Sequence, residues 1–283
     1  MNDGEHDKLA WVKDVIASNN ETHDSVAATK PLVSIVTLTM DNPDALRRTA
    51  QSVASQEYPA IEYLVINGGA SVDKILDDIE KKSNITVSVI NGKKNGIYPA
   101  MNVALKEFSG DWVNFMNSGD LFTNPSSISN AFLARDSTKS IKVMRLEGEG
   151  NVQNLWSGMR LKNICQQAIF YNKKKLGEVL AFDEKFLFSA DLDLLLKIYY
   201  ADREGFSEHC QDSFVRYEPG GVSGRNTKIL HREKTQILLD RRKDAGWVIL
   251  IINLLYVNCV RIYLAILAMV DKLRGIIAGV LRP

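Results

Sequence analysis

In the first half of the chain, hydrophobic residues follow two alternating patterns, and each pattern predicts a different element. Short runs rich in β-branched residues are typical of strands, whereas apolar residues three or four positions apart are typical of helices. The strand-like runs are 32–38, 61–66 and 86–90, and the helix-like segments between them are 43–55 and 72–82. Strands that alternate with helices predict an α/β fold, in which a mostly parallel sheet is covered by helices on both faces.

The segment from Asn95 to Asp120 continues this alternation and ends on a carboxylate. Its opening Asn-Gly pair predicts a turn, and Pro99 suits the first turn of the helix that follows. A short apolar strand at 112–116 then runs directly into the polar sequence Asn-Ser-Gly-Asp at 117–120. Because α/β sheets bind ligands at the carboxyl ends of their strands, Asp120 is a candidate site residue. A strand–helix unit with an ordinary polar loop is the alternative interpretation.

Residues 126–240 are less regular, and they contain further candidate positions. An apolar run at 164–170 carries two adjacent amides, Gln166 and Gln167. Farther along, Asp191 lies at the start of a segment with the apolar spacing of a helix. A carboxylate in the first turn of a helix is explained equally well as a cap or as a functional group, and both interpretations stay open.

Composition excludes several classes of protein. The 35 basic and 34 acidic side chains give a net charge of +1, so no overall field would attract nucleic acid, and we expect no nucleic-acid partner. The three cysteines are widely spaced and form no metal-ligand motif, which suits a reducing compartment. The first residues lack an apolar signal core, so we expect the catalytic part to face the cytosol.

The C-terminal segment is strongly apolar and differs from the rest of the chain. Residues 247–260 and 262–270 are almost continuously apolar, Arg261 separates them, and basic residues flank the pair at 241–243 and 272–274. This pattern favours a helix lying in a membrane surface rich in anionic lipid. A membrane-spanning helix and a helix packed on the domain or in a dimer are the alternatives.

These patterns predict three parts of the chain. They are a polar N-terminal tail with a short helix at 1–30, one α/β domain at 31–240, and C-terminal apolar helices at 241–283. Within the α/β domain, the regular half is 31–125 and the less regular half is 126–240.

Seven sequence marks, in order, resemble a family 2 glycosyltransferase of the GT-A fold. The resemblance covers about residues 31–225 and is strongest to the branch that assembles bacterial exopolysaccharides such as colanic acid. The marks are PLVSIVTLTMDN at 31–42, QSVASQEYPAIEYLVINGGAS at 51–71, NGIYPAMNVAL at 95–105, GDWVNFMNSGD at 110–120, ICQQAIF at 164–170, ADLDLLLKI at 190–198 and GGVS at 220–223.

The resemblance implies a role for each candidate position. Asp191 matches the catalytic base, and Asp120 matches the carboxylate that holds Mg²⁺ or Mn²⁺ on the donor diphosphate. The positions implied to contact the nucleotide-sugar donor are Thr37, Thr39, Asn67, Asn95, Asn102, Asn117 and Ser118, and those on the acceptor side are Gln166 and Gln167.

Several positions depart from the family pattern. Asn67 and Pro99 stand where relatives often carry aspartate, and Gln166 stands where they often carry histidine. Asn117 and Gly119 replace acidic residues, so we expect weak metal binding in the absence of donor. These departures put the identity of the nucleotide base in question and keep a second class open, a catalytically weak subunit that organises an assembly complex.

The expected activity is an inverting transfer, of hexosyltransferase type, from a nucleotide-diphosphate sugar to a polyprenyl-diphosphate-linked saccharide. It would serve bacterial surface polysaccharide biosynthesis at the cytoplasmic face of the inner membrane. The sequence leaves a homodimer or membership of an assembly complex open. A nucleotidyltransferase is a further alternative, but it normally needs a glycine-rich, lysine-containing loop after the first strand, and residues 38–42 contain none.

Overall fold

The computed structural model describes residues 4–21, 30–83, 85–92, 95–133, 138–147, 165–218 and 226–241. The strands are β1 (Val33–Thr39), β2 (Ile61–Asn67), β3 (Thr86–Asn91), β4 (Trp112–Phe115), β5 (Leu121–Phe122), β6 (Ile141–Leu146), β7 (Ile169–Asn172) and β8 (Ser207–Arg216). The helices are α1 (Gly4–Glu21), α2 (Pro43–Ala54), α3 (Asp73–Glu80), α4 (Ile97–Glu107), α5 (Ser127–Ala131), α6 (Lys173–Leu176), α7 (Ala190–Ala201) and α8 (Thr227–Asp240). The strands and helices predicted between 32 and 116 are confirmed to within about three residues at each end.

Within the described residues, eight strands form one sheet in the order β3-β2-β1-β4-β7-β6-β8-β5. Strand β1 pairs in parallel with both β2 and β4, and β2 pairs in parallel with β3. Beyond β4 the sheet becomes mixed, because β7 pairs antiparallel with β4 and β6, whereas β6 pairs in parallel with β8. The predicted α/β class is confirmed, and β1 to β4 pair with one another in parallel, whereas β5, at the end of the half predicted as regular, pairs antiparallel with β8.

The central strands are buried along their whole length, which requires cover on both faces of the sheet. On one face, Leu46 and Val53 of α2 and Leu76 of α3 pack with Ile35 of β1 in a single apolar cluster. Helix α4, which buries Met101 outside that cluster, contacts β1 and β2. Because β1, β2 and β4 run parallel, their carboxyl ends lie at one edge of the sheet, where the candidate residues lie.

Helix α1 is the helix expected in the N-terminal segment, and it packs through Val12 and Ile16. It contacts α6 and α7, and the Asn19 amide donates to the main-chain oxygen of Lys175 (3.1 Å). Helix α1 thus supports the helix that carries Asp191.

The chain divides into two compact units, one of residues 1–153 and 163–225 and the other of residues 154–162 and 226–283. Of the second unit, the structure describes α8, which buries Ile237 and Leu238. The predicted apolar helices after residue 241 lie outside the described residues. In the described part of the chain, no helix combines the length and the apolar character that a membrane crossing requires.

Glu62 of β2 ties the start of the sheet to the turn before β4. Its carboxylate accepts hydrogen bonds from the Ser34 hydroxyl and from the main-chain N–H and hydroxyl of Ser109 (2.9 and 2.7 Å). Partial burial opposes ionisation, but these hydrogen bonds and one from the Gly110 N–H outweigh it, so the pKa of Glu62 lies below its usual value.

We expect Glu62→Gln to lower the free energy of unfolding at pH 7 by about 1 kcal/mol, the usual net value of a hydrogen bond. A depressed carboxyl pKa contributes stability above the unfolded-state pKa, and this contribution disappears as the pH falls through the folded-state value. The difference between wild type and variant should therefore shrink in acid. Urea unfolding from pH 7 to pH 3 would measure it, with the exposed Glu107→Gln as control, and a constant difference across that range would contradict the prediction.

Candidate active site

The loop at 117–120 is held against the end of β1 by main-chain hydrogen bonds. Met116 N donates to the Val36 oxygen (2.9 Å), and Ser118 N donates to the Leu38 oxygen (3.1 Å). The parallel pairing of β1 with β4 therefore continues past the last residue of β4. As a result, Asp120 lies at the carboxyl edge of the sheet, as the sequence predicts.

Thr49 of α2 holds the same loop from the other side. Its hydroxyl accepts a hydrogen bond from Gly119 N (2.9 Å) and donates one to the main-chain oxygen of Asp120 (2.8 Å). Thr49 is completely buried, so solvent cannot replace these partners. One hydroxyl thus satisfies two main-chain groups at the end of the loop, the N–H of Gly119 and the carbonyl of Asp120.

Thr49→Val should lower the free energy of unfolding by about 2–3 kcal/mol, because it keeps the shape and leaves two buried main-chain groups without their partner. Thermal or urea unfolding would measure this loss. The matched control is Thr235→Val in α8, where the hydroxyl donates to the His231 oxygen of its own helix (2.9 Å) and has no other partner among the described residues. Equal losses in the two variants would show that the loop does not depend on Thr49.

Asp120 is a buried carboxylate, with 4% of its surface exposed. Its Oδ1 accepts a hydrogen bond from the main-chain N–H of Glu218 (2.8 Å), and the side-chain amide of Gln167 also donates to it. Burial raises the pKa of Asp120 to about 6; the two hydrogen bonds oppose this rise, and the charge of Glu218 adds to it. The hydrogen bonds to Asp120 therefore do not offset the cost of burying its negative charge, and a cation would stabilise the ionised form.

Two side chains of the 117–120 loop, Asp120 and Asn117, carry oxygen atoms of the kind that a hard divalent cation prefers. Asn117 Oδ1, in the same loop, is buried and accepts no hydrogen bond from the described residues. Carboxylate and amide oxygens are ligands that Mg²⁺ and Mn²⁺ accept, with phosphate oxygens and water completing the shell. The described part of the chain contains no cluster of three or more histidine, cysteine or acidic side chains that could hold a metal alone. The site therefore suits a cation that arrives with an anionic ligand.

Asp191 lies in the first turn of α7, after Ser189, and its Oδ1 accepts a hydrogen bond from the Tyr98 hydroxyl (2.9 Å). Burial raises the pKa of Tyr98 well above its usual value, and the charge of Asp191 raises it further, so Tyr98 stays a donor. The Tyr98 ring stacks on Phe182 (5.4 Å between centroids), which fixes its position. Tyr98 therefore orients one oxygen of the Asp191 carboxylate.

The Cys165 thiol interacts electrostatically with both candidate carboxylates. Burial raises the pKa of its thiol to about 12, and the negative charges of Asp120 and Asp191 both add to the rise. Its Sγ donates to Oε1 of Gln167 (2.8 Å), whose amide in turn reaches Asp120. The structure thus brings Asp120 and Asp191 together around one small region.

The two predicted acceptor-side glutamines are both buried, but they face different partners. The Gln166 amide lies 3.3 Å from the Met101 sulfur of α4, whereas the Gln167 amide contacts Asp120. Both residues form a single 3₁₀ turn that leads into β7. Gln167 therefore supports the Asp120 carboxylate. The residues around Gln167 in the sequence do not indicate this contact.

Two of the predicted donor contacts have side chains that are engaged inside the protein. The Thr37 hydroxyl donates to the Met116 oxygen (2.8 Å) and accepts from the Tyr63 hydroxyl (3.0 Å). The Asn67 amide closes its own turn, because it donates to the Ala70 oxygen (3.0 Å) and accepts from Gly69 N (3.0 Å). Since an aspartate could not make that donation, the asparagine at position 67 is explained by the turn.

Asn102 of α4 also makes a structural connection. Its amide donates to the Phe182 oxygen and accepts from Phe182 N, both at 2.9 Å, and it contacts Glu184 Oε1 at 2.9 Å. This pairing holds the 182–186 loop against α4. Because Phe182 stacks on Tyr98, Asn102 supports the orientation of Asp191 through that loop.

The remaining predicted donor contacts lie around the carboxyl edge of the sheet. Thr39 Oγ1 is 3.5 Å from Ser118 Oγ across the ends of β1 and β4. Asn95 is exposed directly before Gly96, the residue that precedes α4. The polar groups predicted for donor binding therefore include both exposed and internally bonded side chains.

Sequence reasoning does not identify Tyr98, Thr49 or Glu218 as site residues. Tyr98 is part of the mark at 95–105, but its partner Asp191 is distant in the chain. Thr49 and Glu218 carry no local signal, because Thr49 bonds main-chain groups of the 117–120 loop and Glu218 bonds the Asp120 side chain through its own main-chain N–H. No sequence pattern identifies Arg48, which bonds the Glu218 carboxylate, as a site residue.

The sequence of this chain is similar to a known family and to several of its members. The family model described as glycosyl transferase family 2 matches residues 34–191, more than half of the chain. An uncharacterized glycosyltransferase of Mycobacterium tuberculosis is 28% identical over 193 residues, which are 59% of this chain and 68% of the relative. The poly(ribitol-phosphate) β-N-acetylglucosaminyltransferase TarS of Staphylococcus aureus is 28% identical over 131 residues, 44% of this chain and 23% of TarS.

Solved structures share the fold at lower sequence identity. A mannosyltransferase of Pyrobaculum calidifontis, in complex with GDP-Man and Mn²⁺, has a TM-score of 0.62 at 12% identity and covers 90% of this chain and 77% of its own. Residues 1–349 of Staphylococcus aureus TarS, in complex with UDP-GlcNAc, have a TM-score of 0.57 at 19% identity and cover 75% of this chain and 66% of their own. At these identities the likeness shows the fold alone.

Proposed function

Because this chain belongs to glycosyl transferase family 2, we propose that it transfers a sugar, with inversion, from a nucleotide-diphosphate sugar to an acceptor hydroxyl. The observation that carries the proposal is that the Gln166–Gln167 turn links the two carboxylates, because Gln167 bonds Asp120 and Gln166 contacts α4, whose Tyr98 bonds Asp191. Inverting transfer needs two separate functions, stabilisation of a leaving diphosphate and removal of a proton from the acceptor. The two carboxylates are suited to these two functions.

We assign the cation and donor side to the 117–120 loop. Asp120 and the Asn117 side-chain oxygen would hold a Mg²⁺ or Mn²⁺ ion, which would neutralise the charge that develops on the departing diphosphate. Solved relatives with this fold bind GDP-Man with Mn²⁺ or UDP-GlcNAc, which supports a nucleotide-sugar donor here. Burial of Asp120 strengthens its interaction with a cation, because few water molecules compete.

We assign the proton transfer to Asp191. The acceptor oxygen attacks the anomeric carbon from the face opposite the diphosphate, and the bond from that carbon to the diphosphate oxygen breaks with its electron pair. The hydroxyl proton passes to a carboxylate oxygen of Asp191. The Tyr98 hydroxyl holds the other oxygen in place and, at its raised pKa, does not compete as a base.

We further propose that the acceptor is a lipid-linked saccharide of bacterial surface or exopolysaccharide biosynthesis, used at the cytoplasmic face of the membrane. The apolar residues 247–270, flanked by basic residues, support this proposal. The full-length protein should sediment with vesicles that contain anionic phospholipid and less with neutral ones. Failure to sediment with either would contradict the membrane part of the proposal without affecting the transfer chemistry.

A panel of nucleotide sugars tests the central proposal. A donor that binds the native protein raises its melting temperature, and the rise should require Mn²⁺ or Mg²⁺. Slow hydrolysis of that donor, followed by NMR at the anomeric proton, should release sugar of inverted configuration. Donor binding without hydrolysis or transfer would instead favour the alternative of a catalytically weak subunit that organises an assembly complex. Absence of binding by every donor would contradict the proposal.

A further inference from the structure

Because residue 119 is a glycine, there is room beside it for a side chain from another part of the chain. Gly119 has a φ of +108°, a conformation that other residues rarely adopt. A Cβ atom at this position would overlap Oε2 of Glu218, which follows β8. The carboxylate of Glu218 therefore occupies the space beside the loop that a side chain at 119 would need.

Glu218 also contacts Asp120 directly. The Glu218 main-chain N–H donates to Asp120 Oδ1 (2.8 Å), which fixes the backbone of residue 218 against the buried carboxylate. Since the Glu218 carboxylate lies against Gly119, it is next to the residue that precedes Asp120 in the loop. Two acidic groups thus meet at one loop, and each makes the other more favourable for a cation.

Arg48 of α2 bonds Glu218 without using all of its oxygen lone pairs. A single nitrogen, Nη2, lies 3.1 Å from Oε1 and 3.0 Å from Oε2. An ionised carboxylate has about four lone-pair positions, so a second ligand can bind while Arg48 stays in place. Both side chains are about half exposed, at 49% and 51%, so this pair is weak and opens easily.

We propose that Glu218 is a second carboxylate ligand of the divalent cation at Asp120 and replaces an acidic side chain at position 119. This inference rests on the proposed function, because it assumes a cation at Asp120. The two carboxylates, with Asn117 Oδ1, supply three hard oxygen ligands from two distant parts of the chain. The cation would thereby join the segment after β8 to the 117–120 loop.

Titration of the full-length protein with Mn²⁺ alone, followed by loss of the free-ion EPR signal, tests this inference. Glu218→Gln should weaken Mn²⁺ binding by about tenfold, and Asp120→Asn should weaken it at least as much. The matched control is Glu147→Gln, which removes the charge from another exposed arginine–glutamate pair, Arg216–Glu147. It should leave the affinity within about twofold of wild type.

Repeating the titration in 1 M KCl separates ligation from a distant charge effect, because the Debye length falls to about 3 Å. The loss in Glu218→Gln should persist there. A loss that disappears in 1 M KCl, or an affinity equal to that of Glu147→Gln, would overturn the inference while leaving Asp120 and the proposed function intact. A wild-type protein that binds donor equally well in Mn²⁺ and in EDTA would overturn it as well. Mn²⁺ binding without any donor binding would count against the proposed function alone.

Discussion

Replacing Asp191 by asparagine is expected to lower turnover by about 10²–10⁴-fold while donor affinity stays within about twofold of wild type. The change keeps the size of the side chain and removes the group that accepts the acceptor proton, and general-base contributions have this magnitude. Steady-state transfer rates, with donor binding measured by thermal shift, would test it. Retention of more than about a tenth of wild-type turnover would mean that Asp191 serves only the first turn of α7.

Tyr98→Phe provides the comparison for this variant. It removes the hydroxyl that bonds Asp191 Oδ1 but leaves the carboxylate and the ring that stacks on Phe182. We expect a much smaller loss of turnover, about three- to tenfold, because the base is still present but less well oriented. A loss as large as that of Asp191→Asn would indicate that the tyrosine itself takes part in the chemistry.

Asp120→Asn should weaken both donor binding and transfer, in contrast to Asp191→Asn. The carboxylate is proposed to hold the cation on the diphosphate before and during the reaction, so ground state and transition state both lose the interaction. We expect donor affinity in Mn²⁺ to fall by tenfold or more, to the value that wild type shows in EDTA. Titrations of donor in Mn²⁺ and in EDTA, for wild type and variant, would measure this.

A control for Asp120→Asn has to distinguish the loss of the negative charge from damage to the fold. Asn at 120 keeps an oxygen for the Glu218 N–H, so the loop should remain in place and the melting temperature without metal should change little. If donor affinity is the same in EDTA as in Mn²⁺ for wild type, or if the variant equals wild type, the metal role of Asp120 is wrong.

Much of the first half of the fold could be predicted from the sequence, because its elements depend on local patterns. Each strand there carries its own short run of apolar and β-branched residues, and each helix carries its own apolar stripe. Strands β1, β2 and β3 pair in sequence order, whereas β4 lies beside β1. The second half resists such reasoning. Strand β7 enters the sheet between β4 and β6, and the two-residue β5 pairs with β8 at the far edge. Pairing of this kind depends on segments far apart in the chain.

The same distinction applies to the site. The positions of Asp120 at a strand end and of Asp191 at a helix start follow from the sequence, because turn, strand and helix signals surround each of them. Their roles as cation ligand and base follow only from the family resemblance and stay predictions. The bonds made by Asn67 and Asn102 with the main chain were not predictable, because an amide in a polar loop has the same local signature whether it faces a ligand or closes a turn.

The sequence by itself therefore determined the α/β class, the order of the first elements and the two acidic residues on which the chemistry is proposed to depend. Only the tertiary structure decided that Tyr98 bonds Asp191, that Thr49 holds the 117–120 loop, and that Glu218 lies over Gly119 beside Asp120. The physical reason is the range of the interactions involved. Periodicity and turn signals act over a few residues, whereas these contacts join residues that become neighbours only after the sheet has assembled.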